Sequence, residues 1–267
     1  MAAVHLSVEE DQLWASLPSV PRLAIGLDYD GTLAPIVDTP EKAVATESIR
    51  RTVGDLQSDP RNLVAVVTGR SIADLARVFP VARSLWVIGR HGMQQAAPGG
   101  VPRPPPELDV EATSRALNPL RSEIAALRRV HPEARLEDKQ IALTLHTRRL
   151  VPAAESEVQA AFHRATPPGF HVMVGKRVIE ARPEGFDKGR AFANLLQRLM
   201  PDALPIYIGD DTTDEDVFRV LPPSALTIRV MDDPALRADT AARFWVDGPT
   251  EVEAFLQTLH RLRSQVP

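Results

Sequence analysis

The chain has no cysteine. That excludes disulfides, thiol nucleophiles and thiolate metal sites, and it fits a reducing compartment. No apolar run approaches the ~20 residues that a membrane span needs. The first 20 residues, MAAVHLSVEEDQLWASLPSV, lack the basic start and apolar stretch of a secretion signal. A cytoplasmic protein without a membrane partner is expected. There is no excess of basic charge, with 31 basic residues against 35 acidic, and aromatic residues make up only 5%. A nucleic-acid partner would find neither an attractive field nor stacking groups. Lysine is scarce too: Lys42, Lys139, Lys176 and Lys188 are the four among those 31. Codon bias is the first explanation of that scarcity; beside it, where arginine is the default cation, a retained lysine can mark a need for a compact ammonium.

What is present has the proportions of an ordinary globular protein, 44% hydrophobic and 25% charged over 267 residues. RLAIGLD (22–28) and NLVAVVT (62–68) are continuous apolar runs with β-branched residues, which predict buried strands of a parallel sheet. Each leads into a predicted helix, about 46–57 and 71–79, the second with Ser71 as N-cap and Asp74 three residues on. SLWVIGRHG (84–92) predicts a third strand. The pattern then breaks at a Pro/Gly linker, AAPGGVPRPPPELD (96–109). Beyond it the spacing predicts a helix over about 110–129 and a half-buried antiparallel strand in ARLEDKQIALTLHTR (134–148). A helix near 153–165 and a hairpin in FHVMVGKRVIEARP (170–183) follow, with GKR between two alternating runs. Parallel-sheet grammar returns with helix 188–199, strand 204–210, helix 213–220, strands 225–230 and 243–247, and a final helix 249–263. The expectation is an α/β protein. Its Rossmann-like core spans 1–97 and 184–267, and a smaller open α/β unit spans 98–183.

The stretch GLDYDGTLAPI (26–36) carries the first chemical signal. A buried-strand pattern ends on two aspartates one residue apart, Asp28 and Asp30, and carboxylates in that position repel unless something binds them. In open α/β sheets ligands gather at the carboxyl ends of the strands. Thr68 and Gly69 stand at a second such end, and Asp210 and Asp211 at a third. Oxygen donors alone, with no histidine cluster, predict Mg²⁺. Alternate residues of extended chain share a face, so one of the first two aspartates can attack while the other moves protons. A carboxylate nucleophile can form an acyl phosphate.

Four segments in this order, DYDGT, VVTGR, FDKGR and GDDTTDED, resemble the four motifs of the haloacid dehalogenase-like (HAD) phosphatases. The insert between the second and third resembles the larger cap type of that superfamily. LEDKQIALTLHTR, VIEARPEGFDKG and IGDDTTDEDVF together resemble the trehalose-6-phosphate phosphatase family, and HGMQ (91–94) resembles that family's His-Gly after the third strand. The resemblance implies a Mg²⁺-dependent hydrolase acting on trehalose 6-phosphate, with a functional link to a trehalose-6-phosphate synthase. It implies Asp28 as nucleophile, Asp30 as general acid and base, and Thr68 and Lys188 as groups that hold the phosphoryl oxygens. The metal ligands it implies are Asp28, the Asp30 carbonyl and Asp210, with Asp214 either reaching the metal or holding Lys188. It places Gly69, Arg70, His91, Glu137, Lys139, His146, Arg148 and Glu180 on the substrate. Thr147 and Arg90 depart from the family pattern at places tied to sugar recognition. A sucrose-phosphate or glycosylglycerate-phosphate phosphatase, and an inactive sugar-phosphate sensor, remain alternatives.

Overall fold

Alternation along the apolar runs builds the central layer. Leu23, Ile25 and Leu27 pack into one cluster while Ala24, between them, packs into another. Val64 and Val66 repeat this against Leu63, Ala65 and Val67, as do Ile206 and Ile208 against Tyr207. A sheet with both faces buried needs helices on each side. The structure, a computed structural model, describes residues 3–6, 10–175, 177–231 and 239–265.

In chain order the elements are β1 Val4–His5, α1 Glu10–Ser16, β2 Leu23–Leu27, α2 Glu47–Ser58, β3 Asn62–Val67, α3 Ile72–Val78, β4 Trp86–Gly89 and β5 Gln94–Ala96. Then come α4 Val110–Ala116, α5 Asn118–Val130, β6 Arg135–Asp138, β7 Leu143–His146, α6 Pro152–Ala165, β8 Phe170–Gly175 and β9 Val178–Pro183. The last group is α7 Lys188–Leu199, β10 Leu204–Gly209, α8 Glu215–Val220, β11 Leu226–Val230, β12 Phe244–Val246 and α9 Gly248–Arg263. The larger sheet runs β1-β12-β11-β10-β2-β3-β4-β5. Its pairings are parallel except for β4–β5, which is antiparallel. Residues of α2, α3 and α9 cover one face, and those of α7 and α8 the other.

Two compact units emerge, Met1–Pro105 with Phe186–Pro267, and Pro106–Gly185. The boundaries differ from 98 and 183 for local reasons. Gly99 N–H donates to the Arg83 carbonyl at 2.7 Å, and Arg103 exchanges backbone bonds with Gln95, so the start of the linker stays with the first unit. Glu184 N–H donates to the Gly169 carbonyl at 2.9 Å, which keeps it with the second.

The second unit is an antiparallel sheet, β6-β7-β9-β8, with helices on one face. Leu143, Leu145, Ile179 and Ala181 meet Leu120, Ile124, Val158 and Phe162 there. The helix expected over 110–129 is two, α4 and α5, because Pro119 opens the second. The strand expected within 134–148 is the hairpin β6–β7, turned at Gln140 with φ 72°. Lys176, in the second hairpin, lies outside the described residues. Among the described residues no helix is long and apolar enough to cross a membrane.

Candidate active site

The three strand tips singled out by the sequence are neighbours. β10, β2 and β3 lie side by side, and their carboxyl ends bring Asp210, Asp28 and Thr68 to one rim. A hollow of about 480 Å³ opens there, lined among others by Asp28, Asp30, Thr68, Gly69, Arg70, His91, Lys188 and Asp210. Gly31 makes the turn that brings the loop back, with φ 78°, and a Cβ at that position would collide with the Asp210 carboxylate.

Asp28 is 4% exposed. Its Oδ1 accepts from Tyr29 N–H at 2.7 Å, and its Oδ2 pairs with Lys188 Nζ at 3.0 Å. Lys188 is the first residue of α7, where Asp187 caps the helix by accepting from Arg190 N–H. The ammonium also donates to Asp214 Oδ1 at 2.9 Å. Tyr207 hydroxyl donates to the same oxygen at 2.7 Å, and Asp211 N–H donates to Asp214 Oδ2 at 3.0 Å. Asp214 therefore holds Lys188, one of the two roles left open for it. Thr68 Oγ1 accepts from Arg70 N–H at 3.1 Å, which folds the turn after β3.

Oxygens of Asp28, Asp210 and Asp214 lie within 4.8 Å of one another. The electrostatics register the crowding. Burial, then the Asp214 charge, pushes the Asp28 carboxyl well above the usual range, against the pull of Lys188. Burial and Asp214 likewise push Asp210 up to about 6. Burial alone would lower Lys188, but Asp28 and Asp214 more than reverse it, so it stays an ammonium. Three carboxylates against one ammonium leave excess negative charge that a divalent cation would offset, and the donor set, oxygen only and buried, fits such an ion.

Asp30 is not in that group. Both its oxygens accept from Arg70, Oδ2 from Nε at 2.7 Å and Oδ1 from Nη2 at 2.6 Å. His91 lines the hollow from the turn after β4. The strand expected through 92 ends instead at Gly89, since Arg90 and His91 both have positive φ, 49° and 52°. Their N–H groups donate to the carbonyls of Arg70 and Thr68.

Of the sequence-chosen residues of the second unit, Glu137, His146 and Glu180 share the sheet face opposite its helices. Glu137, Thr144 and Glu180 stand in one row across β6, β7 and β9. Glu137 pairs with His146 at 3.2 Å, and Lys139 with Glu180 at 3.3 Å. Arg148 does not continue the His146 face: the strand ends at His146 and Arg148 is exposed in a turn. Thr147 is buried, donating to Glu155 Oε1 at 2.7 Å, so this departure from the family pattern belongs to the packing under α6.

Tyr207 is a site residue that the sequence reading missed. Its signal was there: a tyrosine, one of two in the chain, in an otherwise aliphatic strand three residues before Asp210. Glu215, at the start of α8, is buried and held by Arg229, by Thr240 Oγ1 at 2.7 Å and by Ala241 N–H at 2.8 Å.

The profile of the trehalose-phosphatase family matches residues 26–250. Trehalose-phosphate phosphatase of Mycobacterium marinum is 33% identical over 258 residues, covering 93% of this chain and 63% of that protein. Trehalose-phosphate phosphatase B of Arabidopsis thaliana is 32% identical over 258 residues, covering 89% of this chain and 66% of that protein. The chain thus spans about two thirds of the length of these curated relatives. The structure of Aspergillus fumigatus trehalose-6-phosphate phosphatase superposes with a TM-score of 0.74 at 25% identity, covering 97% of this chain and 99% of that one. The fold is the haloacid dehalogenase-like one expected from the motifs. With three of its four motifs on adjacent strand ends, the fourth opening α7, and the profile matched from the first aspartate strand to the last helix, the chain belongs to the trehalose-phosphatase family.

Proposed function

We propose that the protein hydrolyses trehalose 6-phosphate to trehalose and phosphate through a phosphoaspartate. The observation that carries this reading is the contact of Asp28 with Lys188 inside a buried acidic group, on the hollow that Thr68 and Gly69 also line. Asp28 and Asp210, with the main-chain carbonyl of Asp30, would hold Mg²⁺ while Asp214 holds Lys188 beside them; when bound, the ion supplies the positive charge that lets a carboxylate meet a dianionic ester. Asp28 attacks phosphorus, and the bond from phosphorus to the sugar 6-oxygen breaks. Asp30 gives that oxygen its proton, then takes one from the water that cleaves the phosphoaspartate and frees Asp28. Thr68, the Gly69 N–H and Lys188 donate to the phosphoryl oxygens as charge shifts onto them. Glu137, Lys139, His146 and Glu180 recognise sugar hydroxyls, and a wrong sugar leaves them unpaired.

Phosphate release is to be measured with trehalose 6-phosphate, sucrose 6-phosphate, a glycosylglycerate phosphate and glucose 6-phosphate, with and without Mg²⁺. Trehalose 6-phosphate is expected to turn over fastest and only with the ion, and Asp28→Asn to fall to background with its fold intact. Another ester hydrolysed faster would overturn the substrate, and full turnover by Asp28→Asn would overturn the nucleophile.

A further inference from the structure

Arg70 enters the hollow, yet its guanidinium faces neither Asp28 nor Lys188. It grips Asp30 fork to fork, with both carboxylate oxygens engaged. The same Nη2 donates to the Pro40 carbonyl at 2.8 Å. The guanidinium carbon sits 5.3 Å from the centre of the Tyr29 ring, and Tyr29 hydroxyl is itself tied to the Ala43 carbonyl at 2.8 Å. Arg70 is thus anchored at three points, and its side chain is only 12% exposed against 42% for that of Asp30. A half-exposed aspartate in a turn would otherwise sample several rotamers. A planar bidentate partner fixes its plane as well as its place.

From this geometry we infer that Arg70 is a positioning residue: it orients Asp30 at the mouth of the hollow and ties the loop from Pro35 to Ala43 to the turn after β3. This rests on the role proposed above for Asp30. When Asp30 releases its proton to the leaving oxygen, or takes one from water, one of its oxygens must leave the fork. The bonds to Pro40 and the Tyr29 face keep the guanidinium in place meanwhile, so the carboxylate returns to the same orientation. Lysine could supply the charge but not the fork.

The test is a double-mutant cycle with Asp30→Asn. Arg70→Met is expected to lower kcat by about 10- to 100-fold, the scale on which a misplaced proton-transfer group acts, with KM within about twofold. Arg70→Lys should recover part of the loss. In the Asp30→Asn background Arg70→Met should change kcat by less than about twofold. Hydrogen exchange, which needs no turnover, should quicken at the amides of 31–43 in Arg70→Met, with the melting transition kept. A rise in KM at constant kcat would make Arg70 a substrate ligand and overturn the inference. So would a full loss in the Asp30→Asn background, or unchanged exchange at 31–43. If trehalose 6-phosphate is not hydrolysed at all, the substrate reading falls, while the exchange measurement still decides for or against Arg70.

Discussion

Asp28 and Asp214 share one ammonium, Lys188, in a place with little water, and Asp210 crowds against them. Repulsion among them is the energetic cost of the site, and a cation is what relieves it. Adding Mg²⁺ to the protein should therefore raise Tm, by the equivalent of about 2.7 kcal/mol at a hundredfold excess over Kd. Asp210→Asn should weaken that response. Differential scanning fluorimetry across a Mg²⁺ series checks both, and an unchanged response in the variant would remove Asp210 from the ligand set. At this scale the sequence was informative where a residue announces itself by position, at a strand end or beside a glycine. It was silent on the partner Tyr207 takes and on the Arg70–Asp30 grip. Those contacts join positions 7 and 40 residues apart, and no local pattern records which side chain will face them.

Elements formed where periodicity was strong. The helix expected over 188–199 is α7 residue for residue, because its apolar stripe begins directly after a capping aspartate. Misreadings fell where two elements share one apolar face. Leu117, Leu120 and Ile124 keep a continuous stripe across the break between α4 and α5, which hid it. The turn of β6–β7 carries no glycine; its Gln140 is held left-handed by two side chains instead, one accepting from its N–H and one donating to its carbonyl. Asp138 Oδ1 accepts from Gln140 N–H at 2.8 Å, and Arg121 bridges Asp138 and the Gln140 carbonyl. Hydrogen bonding from Arg121 holds the Asp138 carboxyl below its ordinary value, against the effect of burial. A folded-state pKa below the unfolded one gives stability that is present above about pH 4 and is lost as pH falls through the folded value. Asp138→Asn should lower Tm at neutral pH and flatten its decline between about pH 4 and pH 2. Thermal melts across that range provide the check; a wild-type slope in the variant would show that the turn does not depend on this carboxylate.

Taken whole, the molecule has separate cores. The cluster around Phe162, Leu145 and Ile179 belongs to Pro106–Gly185 alone, and the clusters on the two faces of the large sheet belong to the other unit. Each unit buries its own apolar surface, as an independent domain does. Phe162→Ala should cost about 3–5 kcal/mol in its own unit. Its amides between 106 and 185 should exchange faster, while those of β2, β3 and β10 stay protected. Equal loss of protection in both units, read by hydrogen-exchange mass spectrometry, would mean that they fold as one.

By itself the sequence determined the chemistry on offer: which acids end which strands, that a lysine opens the helix after the insert, and that an α/β insert interrupts the sheet. Each of these follows from patterns a few residues long, period two in strands and punctuation at their ends. Only the tertiary structure decided which of those groups meet. The order β10-β2-β3 puts Asp210, Asp28 and Thr68 side by side, gives Lys188 two carboxylates, and sets Arg70 against Asp30. That order follows from the packing of helices on both faces of the sheet, a property of the whole chain.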